Sequence, residues 1–151
     1  MLWLQSFDNQ PGISIPFAAL DYARLIGWLE VVVEVDALAQ YPLLAASRIY
    51  AEVPDPVRAA AMLDFVERAF LDDPNRRWPW LAHAVYVAKH RLDDPERALR
   101  YATALATHAT GAPEWARQMQ IFVLEDMGEI EAAKVLLGGL LESGRITDPH
   151  E

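Results

Sequence analysis

Tyr41-Pro42-Leu43-Leu44-Ala45-Ala46 returns 37 residues later as Trp78-Pro79-Trp80-Leu81-Ala82-His83, and a further step of 37 lands on Trp115. An aromatic residue therefore opens three segments at a constant interval. A second mark keeps the same mean period. Ala59, Ala98 and Ala133 are spaced by 39 and 35 residues, and the surplus in the first interval falls in the turn between Arg91 and Asp94. Two independent marks with one period of this size indicate a repeat architecture.

The punctuation around these marks is helical. Asp55-Pro56 and Asp94-Pro95 each place an N-cap aspartate before a proline at the first helical position. The carboxylate accepts from an orphan amide, and proline lacks the amide that would go unused there. Pro16 and Pro113 are weaker starts, and Gly128 and Gly144 read as helix stops. Apolar residues between these points recur at three and four, which predicts seven helices over about 16–38, 42–53, 56–72, 79–91, 95–109, 113–127 and 129–143. Val31-Val32-Val33-Glu34-Val35 is β-branched and has strand propensity. A lone strand would have no partner, so the segment is read as helix. The connections are short, so consecutive helices should be antiparallel neighbours.

Hairpins of this size cannot bury their own apolar stripes, and stacking them joins the stripes into one core. Small residues at Ala59, Ala98 and Ala133 let the second helix of each hairpin approach the first. The aromatic residues Trp78, Trp80 and Trp115 near the starts of the first helices serve as wedges against the preceding hairpin.

Met127-Gly128-Glu129-Ile130-Glu131-Ala132-Ala133 resembles the turn of a tetratricopeptide repeat, with glycine, an acid, a bulky residue and then a small residue early in the second helix. Asp94-Pro95-Glu96-Arg97-Ala98-Leu99 is similar to the same junction. The resemblance covers about residues 41–145, with a period longer than the family's and with Ser47, Ala84 and Ile121, the last of them large, where the family has a glycine midway along the first helix. It is to the divergent, bacterial type. It implies an all-α chain, an α-solenoid of about three tetratricopeptide-like helical hairpins with an extra N-terminal helix. The single domain 1–151 then divides into an irregular arm (1–15), a capping helix (16–40) and repeats at 41–76, 77–111 and 112–145.

Composition narrows the function classes. Of 151 residues, 53% are hydrophobic, which excludes a disordered chain. Thirteen Lys and Arg face 22 Asp and Glu, a net charge of −9, which argues against nucleic acid or an anionic membrane as partner. There is no cysteine, hence no disulfide, thiolate metal site or thiol nucleophile. No uncharged apolar run reaches the ~18–20 residues of a membrane span, and no positive charge precedes Arg24, so the start does not read as a secretory signal. Both ends are abrupt and read as trimmed, which is compatible with an envelope-associated parent protein. A cytoplasmic home is the simpler expectation.

A catalytic constellation is not evident. His83 and His90 are seven apart, but a metal site needs three converging ligands. Asp72-Asp73 and Asp93-Asp94 precede prolines, and capping accounts for both pairs. Gly138-Gly139 lacks the lysine and strand of a phosphate loop, and its place in a helix points to close packing or a break. Arg76-Arg77 reads as a solvated turn. The expectation is no metal, no cofactor and no enzyme.

The resemblance instead implies a non-catalytic protein-interaction scaffold that holds a protein or peptide partner on the concave face formed by the first helix of each repeat. That mapping assigns Arg48, Leu81, Val85, Lys89 and Gln118 to the face, with Arg48 and Lys89 available to a partner carboxylate. The alternative is a self-associating structural subunit. The helix at 16–38 motivates it, because Asp21, Arg24, Glu30 and Glu34 form only a narrow polar stripe among large apolar residues. A helix apolar nearly all round must be covered by something beyond its hairpin: the arm 1–15, a second subunit or a piece lost in trimming, and Trp28 and Val32 are the candidate contacts if it is a homodimer.

Overall fold

The structure is a computed structural model and describes residues 17–142. A 3-10 turn at Phe17–Ala19 leads into α1 (Tyr22–Val35) and α2 (Tyr41–Arg48). A second 3-10 turn at Tyr50–Glu52 precedes α3 (Pro56–Asp72), α4 (Pro74–His90), α5 (Pro95–His108), the short α6 (Glu114–Arg117), α7 (Met119–Asp126) and α8 (Ile130–Glu142). Among the described residues no strand is present, so the valine-rich segment is helical. Taking α6 and α7 as one helix interrupted at Gln118 gives seven helices, in the expected order. The arm 1–15, Gly144 and both chain ends lie outside the described residues.

The caps explain most boundaries. Asp55 Oδ1 accepts from the amides of Val57 and Arg58 at 3.1 and 3.2 Å, and Asp94 Oδ1 accepts from that of Arg97 at 2.9 Å. Asp21 Oδ1 accepts from the Arg24 amide at 3.1 Å, which starts α1 at Tyr22 and not at residue 16. The capping account fails for Asp73. Its carboxylate bonds Arg76 Nε at 2.8 Å instead of an amide. Pro74 nonetheless takes the first helical position, so α4 begins five residues before the expected start and carries Pro79 inside it. Gly128, with φ at +80°, ends α7 in the left-handed conformation. The Glu129 amide reaches back to the Leu124 carbonyl at 2.9 Å, the bond of a Schellman stop.

The earlier start of α4 shifts the aromatic marks. Tyr41 is the first residue of α2 and Trp115 the second of α6, whereas Trp78 lies fifth in α4. The marks still meet: the rings of Trp78 and Trp115 pack edge to face with centroids 5.6 Å apart. Trp80 Nε1 donates to Gln40 Oε1 at 2.6 Å, just ahead of α2. Gly138-Gly139 neither breaks α8 nor packs closely, since a Cβ built at either position meets nothing within 4 Å.

Among the described residues, the substantial helix contacts run only between chain neighbours and next neighbours. The main core joins α1 to α7, with Leu43, Met62, Phe65, Phe70, Leu81, Val85, Tyr101 and Leu105 sealed from solvent. Each such aliphatic or aromatic side chain contributes roughly 1.5–3 kcal/mol by leaving water. Ala59, Ala98 and Ala133 are all buried, leaving room for the backbones to approach. α8 is tied on through a smaller cluster of Ile121, Leu124 and Ala133.

Two polar devices reinforce the helix packing. Arg77, expected in a solvated turn, is only 2% exposed. The early start of α4 carries it inside, where its Nη1 donates to the Ala69 carbonyl in the last turn of α3 at 2.6 Å. Its Nη2 donates to the Ala37 carbonyl after α1 at 3.1 Å. One arginine thus caps α3 and fixes the α1–α2 connection. The second device links α3 to α5. Asp64 Oδ1 accepts from the buried Tyr101 hydroxyl at 2.8 Å, from Arg100 Nη2 at 2.6 Å and from Arg97 Nη1, while Arg100 also bonds Glu67 Oε1 at 3.0 Å.

Candidate functional site

The first helices of the three hairpins in the tetratricopeptide-like reading are α2, α4 and α6–α7. Each turns its aliphatic stripe into the core. Leu81, Ala84, Val85 and Ala88 on α4 are sealed, so Leu81 and Val85 are core residues and present no surface to a partner. The physical reason is simple: aliphatic residues at i, i+3, i+4 and i+7 mark the buried side of an amphipathic helix. The opposite side of α4 carries His83, Tyr86 and His90. Tyr86 is 53% exposed, and its ring lies 6.0 Å from that of His83 and 4.8 Å from that of His90. Three rings thus form a continuous ladder along one helix.

On α2, Arg48 is exposed and near enough to act on His83, and on α7 Phe122 is 56% exposed. His83 is half-buried, and burial together with the charge of Arg48 holds its pKa below the usual imidazole value, so the ring is neutral at neutral pH. Lys89 does not stand free: it pairs with Asp126 and joins α4 to α7. This pair lies in a cleft of about 250 Å³ lined also by His90, Asp93, Val123 and Met127, at the far end of the ladder. Gln118 sits at the break between α6 and α7, half-buried. It lines a different groove, of about 400 Å³, between that break and α8.

Of the five residues expected on the face, Arg48 is exposed on it, Lys89 lies on it within an ion pair, Gln118 borders the separate groove, and Leu81 and Val85 are interior. The residues that the sequence reading missed are Tyr86 and Phe122. The signal was available. An aromatic–imidazole stripe at 83, 86 and 90 runs opposite an aliphatic stripe at 81, 84, 85 and 88, and the aliphatic one is the better core. Trp28 and Val32 lie elsewhere, on the outer side of α1, 66% and 42% exposed.

The face offers flat rings, two imidazoles and one arginine. That chemistry suits stacking and apolar contact with polar anchoring at the rim. Among the described residues no group of three His, Asp or Glu is placed to hold a metal ion, and no helix is long and apolar enough to cross a membrane. Comparison with protein families, with curated proteins and with solved structures finds no match for this chain.

Proposed function

We propose that this chain is a non-catalytic interaction scaffold, a tetratricopeptide-like α-solenoid that holds an extended peptide or a partner helix on the exposed side of α2, α4 and α7. The observation that carries the reading is the ring ladder of His83, Tyr86 and His90 on α4, with Phe122 also exposed on α7, large apolar surface left open on the first helices of successive hairpins. The second helices support it differently. α3 and α5 are clamped together through Asp64, Arg97 and Arg100, which leaves their outer side charged and occupied with itself. The contact pattern, in which the substantial helix contacts among the described residues run between near neighbours, supports a stacked array over a closed bundle.

Exposed aromatic residues dominate binding energy at protein interfaces, with truncation costing ~2 kcal/mol or more at the central ones. Peptides selected from a random library against the intact chain should therefore lose at least ~10-fold in affinity on Tyr86→Ala or Phe122→Ala. Val57→Ala, at a residue 79% exposed on α3, should leave affinity unchanged. Selected peptides that bind all three variants equally well would place the docking surface elsewhere.

A further inference from the structure

The groove between the α6–α7 break and α8 has a volume of about 400 Å³, within the range of small-molecule sites. Three helices give it aliphatic walls: Ala106 from α5, Ile121 from α7, and Val135, Leu136 and Leu140 from α8. Ile121 is buried, and Leu136 and Leu140 are half-buried. Gly139 borders the same groove. A Cβ built there meets nothing within 4 Å, so packing within the chain does not explain a glycine at a mid-helix position where alanine makes the more stable helix. The bare Cα leaves the volume of the groove free.

One cation stands in this lining. The Arg117 side chain is only 15% exposed, and its Nε is sealed from solvent with no acceptor. Among the described residues its side chain has a single partner, Glu114, whose Oε1 lies 3.4 Å from Nη1. That is well beyond the ~2.7–2.9 Å of a strong charge-assisted bond. The Glu114 side chain is 47% exposed, so it can turn into water at little cost. A largely buried guanidinium is thus left short of acceptors at the edge of an apolar trough.

We propose that this groove binds an amphipathic monocarboxylate, its aliphatic tail along Ile121, Leu136 and Leu140 and its carboxylate on the Arg117 guanidinium in place of Glu114. Charge complementarity selects the class. The planar guanidinium takes a carboxylate through two parallel bonds. A cationic head group would be repelled by Arg117, and a purely apolar ligand would leave the guanidinium as short of acceptors as before. The proposal does not rest on the peptide-binding reading, since the groove shares no residue with the ring ladder or with Phe122.

Isothermal titration of the full chain with octanoate, below its micelle concentration, tests it, with octanol as the uncharged control. The wild type should bind one octanoate saturably, and octanol at least ~10-fold more weakly, because only the acid makes charge-assisted bonds. Arg117→Gln should weaken octanoate by ~10-fold or more and leave octanol unchanged. Gly139→Leu should keep the wild-type circular dichroism and melt no lower, since leucine favours the helix and its Cβ has room. It should weaken both ligands by ~10-fold or more, because the new side chain takes up the trough. Tyr86→Ala should bind octanoate as the wild type does, which separates this site from the peptide face. A wild type without saturable octanoate binding overturns the proposal, and so do Arg117→Gln and Gly139→Leu variants that bind like the wild type. Octanol binding as tightly as octanoate overturns the carboxylate anchor. Should a second copy of the chain fill the groove instead, the wild type would sediment as a dimer that Gly139→Leu dissociates, and octanoate would find no site, which overturns the proposal as well.

Discussion

Arg77→Met should lower the stability of the chain by about 2–4 kcal/mol, the largest effect expected of any polar residue here. Methionine keeps an unbranched apolar stem, so the loss isolates the guanidinium. Removing that group strands the buried Ala69 carbonyl, which it reaches at 2.6 Å, and breaks the bond to the Ala37 carbonyl at 3.1 Å, on an exposed residue where water can take its place. The stranded Ala69 carbonyl costs about 1–3 kcal/mol, and the lost bond to Ala37 adds about 1 kcal/mol. Urea unfolding followed at 222 nm measures the change. A loss below about 1 kcal/mol would mean that the two bonds do not hold α1, α3 and α4 together.

The second large effect is expected at Asp64. Its alanine variant removes the acceptor shared by Arg97, Arg100 and Tyr101 and should cost about 2–3 kcal/mol, discounted for the partial exposure of the carboxylate and of Arg100. The buried Tyr101 hydroxyl carries most of the loss, because solvent cannot replace its partner. The pH dependence follows from the same contacts. Burial on its own raises the Asp64 pKa. The hydrogen bonds from Arg97 and Tyr101 and the charges of Arg97 and Arg100 outweigh it and hold the pKa below the ordinary aspartate value. A carboxylate depressed in the folded state contributes stability above its unfolded pKa of about 3.9 and loses it as pH falls through the lower folded value. The difference between wild type and Asp64→Ala should therefore be full at pH 6 and shrink below pH 4. A difference that stays constant down to pH 2.5 would show that the charge of Asp64 is not what binds α3 to α5.

The helices were legible because their caps and periods agree. Asp55-Pro56 and Asp94-Pro95 mark the starts of α3 and α5, and Gly128 marks the stop before α8. The reading went astray where two signals competed. Pro74 and Pro79 both qualify as helix starts, and the repeat phase favoured the second, whereas the chain uses the first and tolerates Pro79 within the helix. That choice moved Arg77 from a supposed turn to the interior. The face was misassigned separately: the resemblance put Leu81 and Val85 on it, whereas their spacing with Ala84 and Ala88 marks the buried stripe. Tyr86 escaped although its stripe runs opposite the aliphatic one. Phe122 has no such local sign, since Ile121, Val123 and Leu124 beside it are all apolar and neighbours from other helices decide which side is buried. The Asp64 cluster was invisible because its members lie 33 to 37 residues apart and meet only through packing.

The central claim is that partners dock on the ring-bearing side of the first helices. A photo-crosslinking amino acid placed in turn at positions 86, 122 and 57 of the intact chain, in its source cell, tests this most directly. The account predicts an adduct with one and the same protein from positions 86 and 122, and none from position 57 on α3. No adduct at 86 and 122, or an equal adduct at 57, would contradict it.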